Sequence, residues 1–203
     1  MQYGFYFDAD RCGSCKACVM ACKDKNDTLV GLKYRTVVDY GGGAWIEEDG
    51  VLQPSEVFVY SVSIACNHCA NPACVSNCPA GAMTKREEDG IVFVDKDQCI
   101  ACGTCVKACP YGAPRLNPAT GTSGKCDLCK DYLAEGGRPA CVDACLMRCL
   151  DFGDIDELRA KYGDVADIDP LPSSSETEPS LVIGRSRHAG KPGTIINPEE
   201  ELV

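Results

Sequence analysis

Seventeen cysteines stand among 203 residues, and sixteen of them fall into four sets of four. The first set is Cys12, Cys15, Cys18 and Cys22, spaced C-x2-C-x2-C-x3-C. The second, Cys66, Cys69, Cys74 and Cys78, is spaced C-x2-C-x4-C-x3-C and runs into Pro79. The third, Cys99, Cys102, Cys105 and Cys109, repeats the first spacing and runs into Pro110. The fourth is Cys126, Cys129, Cys141 and Cys145, with a gap of eleven residues in its middle. Thiols in such numbers serve as disulfides, as zinc ligands or as iron-sulfur ligands. MQYGFYFDAD has neither the basic nor the apolar region of a secretory signal, which removes the main reason to expect disulfides. A tetrahedral zinc site is normally built from two C-x2-C or Cys/His pairs, and triplets with an extra cysteine four residues on do not divide that way. A zinc-organised interaction module is therefore the alternative, and iron-sulfur chemistry leads.

The third set with its proline matches the bacterial ferredoxin run, in which three cysteines hold one [4Fe-4S] cluster and the fourth ligates the neighbouring one. The chemistry explains the spacing. Tight C-x2-C-x2-C loops wrap three thiolates around three irons and leave backbone N–H groups free for the sulfurs. A helix starting near the third cysteine then carries the fourth to another cube.

An internal repeat decides the partners. YFDADRCGSCKACVMACK (6–23) lies over FVDKDQCIACGTCVKACP (93–110) without a gap, and PACVSNC (72–78) lies over PACVDAC (139–145). Sets one and three are of one type, and sets two and four of the other. Exchange of the fourth cysteine then gives four clusters. Cluster 1 takes Cys12, Cys15, Cys18 and Cys145; cluster 2 takes Cys22, Cys126, Cys129 and Cys141. Cluster 3 takes Cys66, Cys69, Cys74 and Cys109; cluster 4 takes Cys78, Cys99, Cys102 and Cys105. Cys149 is left over. It falls opposite Ala82 in the repeat and reads as a small packing residue, not a ligand.

The elements that must position these thiols give an α+β fold of two ferredoxin-like units, one nested inside the other. Between sets two and three, Asp89-Gly90 is a turn signal and IVFVD a strand, the hairpin of an inner unit over 66–110. The outer unit is then split into 1–22 and 111–153. An insertion over 23–65 holds two strand-like runs, KYRTVVDY and VFVYSVSI, separated by Gly41-Gly42-Gly43 and Glu-Asp-Gly turns, and reads as a β-layer covering the clusters. DIDELRAKYG forms a short helix with Asp154 as N-cap, Glu157 at N3 and Gly163 as the stop. Beyond it the rest of 154–203 is an extended C-terminal arm with a short strand at SLVIGRSRH, either disordered or laid on a partner.

Asp8 and Asp95 read as turn formers ahead of the cluster loops. His68, inside CNHC, tunes or packs beside a cluster rather than ligating it, and His188 is solvated. Lys85, Arg86 and Arg148 follow ligand cysteines closely enough to balance cluster charge. A net charge of -10 without a basic stripe argues against nucleic acid. No apolar run approaches the roughly 20 residues of a membrane-spanning helix. No catalytic triad, carboxylate pair or phosphate loop is present, so the chain reads as non-catalytic.

The four sets, the insertion after the first, CNHCANPAC, CPYGAP and LDFGDIDEL together resemble the four-cluster electron-transfer subunits of the dimethyl sulfoxide reductase family. The resemblance runs from QYGF to DPLP and fades in the tail. It implies a catalytic partner carrying bis-molybdopterin guanine dinucleotide and, in many members, a membrane anchor delivering electrons from quinol. It implies a complex that is either cytoplasmic or exported on a twin-arginine signal borne by the partner. In nitrate reductase relatives a tryptophan replaces one cysteine of the third set; here that set is intact. Leu146 stands where proline is usual and Cys149 where a small residue is usual. A free-standing polyferredoxin is the other alternative.

Overall fold

The computed structural model describes residues 1–198; the last five residues of the arm, 199–203, lie outside them. In chain order the elements are β1 (Tyr3–Asp8), α1 (Ala17–Asn26), β2 (Thr36–Glu48), β3 (Val51–Ile64), α2 (Ala73–Ser76), β4 (Met83–Lys85), β5 (Val92–Val94) and α3 (Thr104–Ala108). Then follow β6 (Arg115–Leu116), β7 (Ser123–Gly124), α4 (Lys130–Ala134), α5 (Ala140–Asp143), β8 (Leu150–Asp154), α6 (Ile155–Tyr162), β9 (Leu181–Gly184) and β10 (Thr194–Ile195).

Among the described residues, four of the six α-helices carry cysteines. α1 bears Cys18 and Cys22, α2 bears Cys74, α3 bears Cys105 and α5 bears Cys141. The loops before them bend through left-handed residues that the internal repeat places in register. Ser14 and Ala101 share positive φ, as do Lys16 and Gly103, and as do His68 and Leu128. For non-glycine residues this conformation is unfavourable and persists only where surrounding structure fixes it. The Asp8 carboxylate accepts from Asp10 N at 3.0 Å, and Asp95 accepts from Asp97 N at 3.0 Å, so both aspartates close the same turn.

α1 packs against α5, and α2 against α3. β4 and β5 form an antiparallel hairpin, Met83 opposite Val94, clasped at its turn by Arg86 and Asp89 at 2.8 Å. β1 is the centre of a three-stranded sheet, antiparallel to β8 and parallel to β9. Its inward residues Phe5 and Phe7 join Val37, Val38, Val62, Leu128 and Ile183 in the main core. α6 covers the sheet through Ile155 and Leu158, with Tyr6 and Tyr162 stacked at 3.6 Å. Asp154 caps α6 by accepting from Asp156 N at 3.0 Å, and Gly163 ends it.

The insertion departs from the sequence expectation in two ways. Gly41–Gly43 is no turn; it lies inside β2, with a bulge between Gly42 and Ala44, and the chain reverses at Asp49-Gly50. The reason is close approach. A Cβ on Gly42 would meet the Pro192 carbonyl oxygen at 2.5 Å, and one on Gly43 would meet Val57 Cα at 2.5 Å. The hairpin is also more than a cover, because its base is buried while its outer half carries exposed Trp45, Ile46, Val51 and Leu52.

Up to residue 198 the arm is held against the rest of this chain. β9 completes the β1 sheet and β10 pairs with Tyr40 and Gly41 of β2. Asn197 accepts from Asp39 N at 2.7 Å, and Arg187 grips Asp10 through contacts of 2.8 and 3.0 Å. Polar composition hid this: β9 buries Leu181, Val182 and Ile183, but the segments around it are polar and are held by hydrogen bonds.

Candidate metal centres

The cysteines gather around hollows. One, of about 340 Å³, is lined by Cys78, Cys99, Cys102 and Cys105. A second, of about 360 Å³, is lined by Cys66, Cys69, Cys74 and Cys109. A third, of about 300 Å³, is lined by Cys12, Cys15, Cys18, Cys145 and Cys149. The remaining thiols, Cys22, Cys126, Cys129 and Cys141, are all buried and act on one another electrostatically. Helix geometry separates the first of them from its own set. Cys18 and Cys22 lie one turn apart on α1, so one helix feeds two groups.

Thiols packed this way resist ionisation. Burial, with neighbouring thiols adding to it, pushes Cys22, Cys69 and Cys74 up to about 12 and Cys129 to about 11. Cys126, also buried, is raised well above its usual value for the same reason. A bound cation reverses this, because a coordinating thiol is deprotonated outright. Among the described residues no three Cys, His, Asp or Glu side chains converge closely enough to hold a single ion. The thiols ring a space instead, as the ligands of a polynuclear group do.

Hydrogen-bond donors point at the sulfurs. Leu128 N lies 3.4 Å from Cys126 Sγ, Ser123 N 3.4 Å from Cys99 Sγ and Cys149 N 3.3 Å from Cys145 Sγ. The arm contributes too, since Thr177 Oγ1 donates to Cys69 Sγ at 3.2 Å. Cys15 and Cys102 are exposed, so two of the groups reach the surface.

His68 is fully buried, and its Nδ1 accepts from Val92 N at 2.9 Å. Burial, with Lys125 and Lys85 adding to it, holds its pKa well below the usual value. The neutral ring therefore carries its proton on Nε2, which faces Cys126 Sγ at 3.9 Å. Cys149 packs, but not remotely: its sulfur is 3.4 Å from Cys145 Sγ in the hollow of the first set. Lys85 donates to the Cys69 carbonyl at 2.6 Å, beside the second set. Arg86 belongs to its hairpin turn, and Arg148 donates to the Asp143 carbonyl at 3.0 Å on the surface. His188 is not solvated but half-buried against the Phe58 ring at 5.7 Å.

Sequence reasoning missed two buried cations. Lys125 donates to the carbonyls of Val92 and Cys126, bridging β5 and the fourth set; its place next to Cys126 was a usable signal. Arg35, just before β2, is 2% exposed and has unpartnered Nε and Nη2 atoms. Nothing in its local sequence marks it. Orphaned donors among thiols fit an anionic group between them, because a buried cation without acceptors is strongly unfavourable.

The sequence matches the family model of a 4Fe-4S dicluster domain over residues 57–155 and that of a 4Fe-4S binding domain over 9–31. It is 50% identical to the B subunit of anaerobic dimethyl sulfoxide reductase from Shigella flexneri over 203 residues, 98% of each protein. It is 49% identical to YnfG of Escherichia coli strain K12, a probable anaerobic dimethyl sulfoxide reductase subunit, with the same coverage. The thiosulfate reductase electron transfer subunit PhsB of Salmonella typhi is 42% identical over 159 residues, 77% of this protein and 78% of that one. With half its residues identical across nearly its whole length, and 4Fe-4S domains spanning its cysteine sets, this protein belongs to the family of anaerobic dimethyl sulfoxide reductase B subunits.

Proposed function

We propose that the protein is the electron-transfer subunit of an anaerobic oxidoreductase, relaying single electrons through four [4Fe-4S] clusters to or from a molybdopterin-bearing catalytic subunit. By itself it is not catalytic. The observation that carries this reading is the lining of three hollows by thiols, each hollow drawing on two sequence sets. Cluster 1 is assigned to Cys12, Cys15, Cys18 and Cys145, and cluster 2 to Cys22, Cys126, Cys129 and Cys141. Cluster 3 is assigned to Cys66, Cys69, Cys74 and Cys109, and cluster 4 to Cys78, Cys99, Cys102 and Cys105. Clusters bound there would supply one-electron redox chemistry. The protein's own residues hold the cubes by thiolate, keep water from most of the thiols and aim N–H and O–H donors at the sulfurs, which sets potentials.

Packing of α2 on α3 and of α1 on α5 supports an inner ferredoxin-like unit, 66–110, nested in an outer one made of 1–22 and 111–153. The insertion 23–65 and the arm 154–203 complete this division. The catalytic partner is assigned bis-molybdopterin guanine dinucleotide on the family resemblance, with a membrane anchor as a third subunit. Among the described residues no helix is long and apolar enough to cross a membrane. Export, where it occurs, then depends on a twin-arginine signal of the partner.

Anaerobic purification with the partner tests the reading. Four cubes require about sixteen irons and as many inorganic sulfides per chain. A colourless protein holding zinc and no sulfide would overturn it. A monodisperse monomer with a full complement of clusters and no copurifying subunit would favour a free-standing polyferredoxin.

A further inference from the structure

Arg35 is a buried charge without a conventional partner. One terminal nitrogen donates to Ser63 Oγ at 3.0 Å and reaches the Ser63 carbonyl at 3.4 Å. The guanidinium lies over the Phe5 ring, 4.8 Å from its centroid, so one face is covered by an aromatic. Nε and the second terminal nitrogen make no hydrogen bond. A guanidinium presents five donors in a planar fork and is effectively always charged, so burial this complete calls for a nearby anion.

The groups around it are sulfur. Cys141, Cys18, Cys126 and Cys22 all act electrostatically on Arg35, and their sulfurs are anionic once they ligate metal. Ser63 Oγ, which holds one end of the fork, also lies 3.4 Å from Cys18 Sγ. Three of those four sulfurs belong to the group assigned to cluster 2, and Cys18 to that of cluster 1. Arg35 therefore acts on two groups at once, and its place at the start of β2 fixes it there through the core residues Val37 and Val38 that follow.

We infer that Arg35 is a positioning residue for electron transfer, a fixed cation between the first two cluster sites that holds both of their reduction potentials up together. Reduction adds one electron to an already anionic, thiolate-held cube, with no bond or proton exchanged. A buried positive charge favours the reduced form, more so in a medium of low dielectric. Serving both sites, it raises both potentials together. This rests on the ligand assignment proposed above.

The test is potentiometric EPR titration, with dithionite as reductant, of the complete complex carrying Arg35→Gln or Arg35→Lys. In Arg35→Gln two of the four potentials should fall by about 59 mV or more, a tenfold change in a one-electron equilibrium, while the other two hold. Arg35→Lys keeps the charge and should bring both back toward the parent values. If Arg35→Gln loses iron while Arg35→Lys retains it, the charge requirement stands. The inference fails if Arg35→Gln keeps all four potentials, if all four move equally, or if both variants lose iron alike. Failure of the ligand assignment is separate, since it would appear in the unsubstituted complex as fewer than four clusters.

Discussion

Replacing Cys149 with alanine tests how the seventeenth thiol is used. Its side chain is 3% exposed, and its sulfur sits 3.4 Å from Cys145 Sγ. In the internal repeat the same position is Ala82, itself buried, so a methyl group is already accommodated there once in this fold. The substitution removes one heavy atom from the core, at a cost of roughly 1 kcal/mol for lost transfer and a small void. It also removes a weak S–H donor while leaving the Cys149 N–H on Cys145 Sγ at 3.3 Å, because that contact belongs to the backbone. A hydrogen bond at the weak end, about 0.5 kcal/mol, felt wholly by the reduced state corresponds to about 20 mV in a one-electron couple. Iron should therefore stay near sixteen per chain, with one potential lower by no more than a few tens of millivolts. Iron and sulfide analysis followed by EPR titration of Cys149→Ala reads both quantities. Cys145→Ala should lose about a quarter of the iron, and Cys145→Ala/Cys149→Ala tells whether the neighbouring thiol takes over. Loss of a quarter of the iron from Cys149→Ala alone would refute the assignment at its C-terminal end.

Three further outcomes follow from the geometry. Asp154→Ala removes the α6 cap and should cost about 1 kcal/mol in chemical denaturation, with cluster content unchanged; an unaltered midpoint would show that the cap is idle. His68→Leu strands the buried Val92 N–H and should cost about 1–3 kcal/mol, whereas His68→Gln, which can accept, should recover part of it. Equal losses from both would show that ring packing, not the hydrogen bond, matters. Stripping iron with a chelator under oxidising conditions should unfold the chain, since metal binding and folding are coupled; native far-UV circular dichroism after complete iron loss would sink that view.

What the sequence made legible is what a few neighbouring residues determine. Cysteine spacing, the Asp8 and Asp95 turns, the Asp89-Gly90 hairpin and the Asp154 cap are closed by contacts within one short segment. Gly41–Gly43 misled because glycine serves both turns and close backbone approach, and only the distant Pro192 reveals which. The arm was opaque for the same reason: β9 belongs with β1 by parallel pairing, which leaves no alternation to read in a four-residue strand. Arg35 carries no local mark because its burial is produced by Phe5, Ser63 and four sulfurs from three parts of the chain.

β1 has a consequence for biosynthesis. Its neighbours in the sheet are β8 and β9, with Tyr3 opposite Asp154 and Phe5 opposite Leu181. A ribosome adding about 5–20 residues per second reaches those strands only about 7–35 s after β1 has been made. Throughout that interval the first four thiols wait without their sheet and without Cys145. The segment from Cys66 to Cys109, by contrast, has its own hairpin and helices as soon as it emerges. In chain order the middle thiols are thereby complete before the N-terminal ones meet the partners proposed for them.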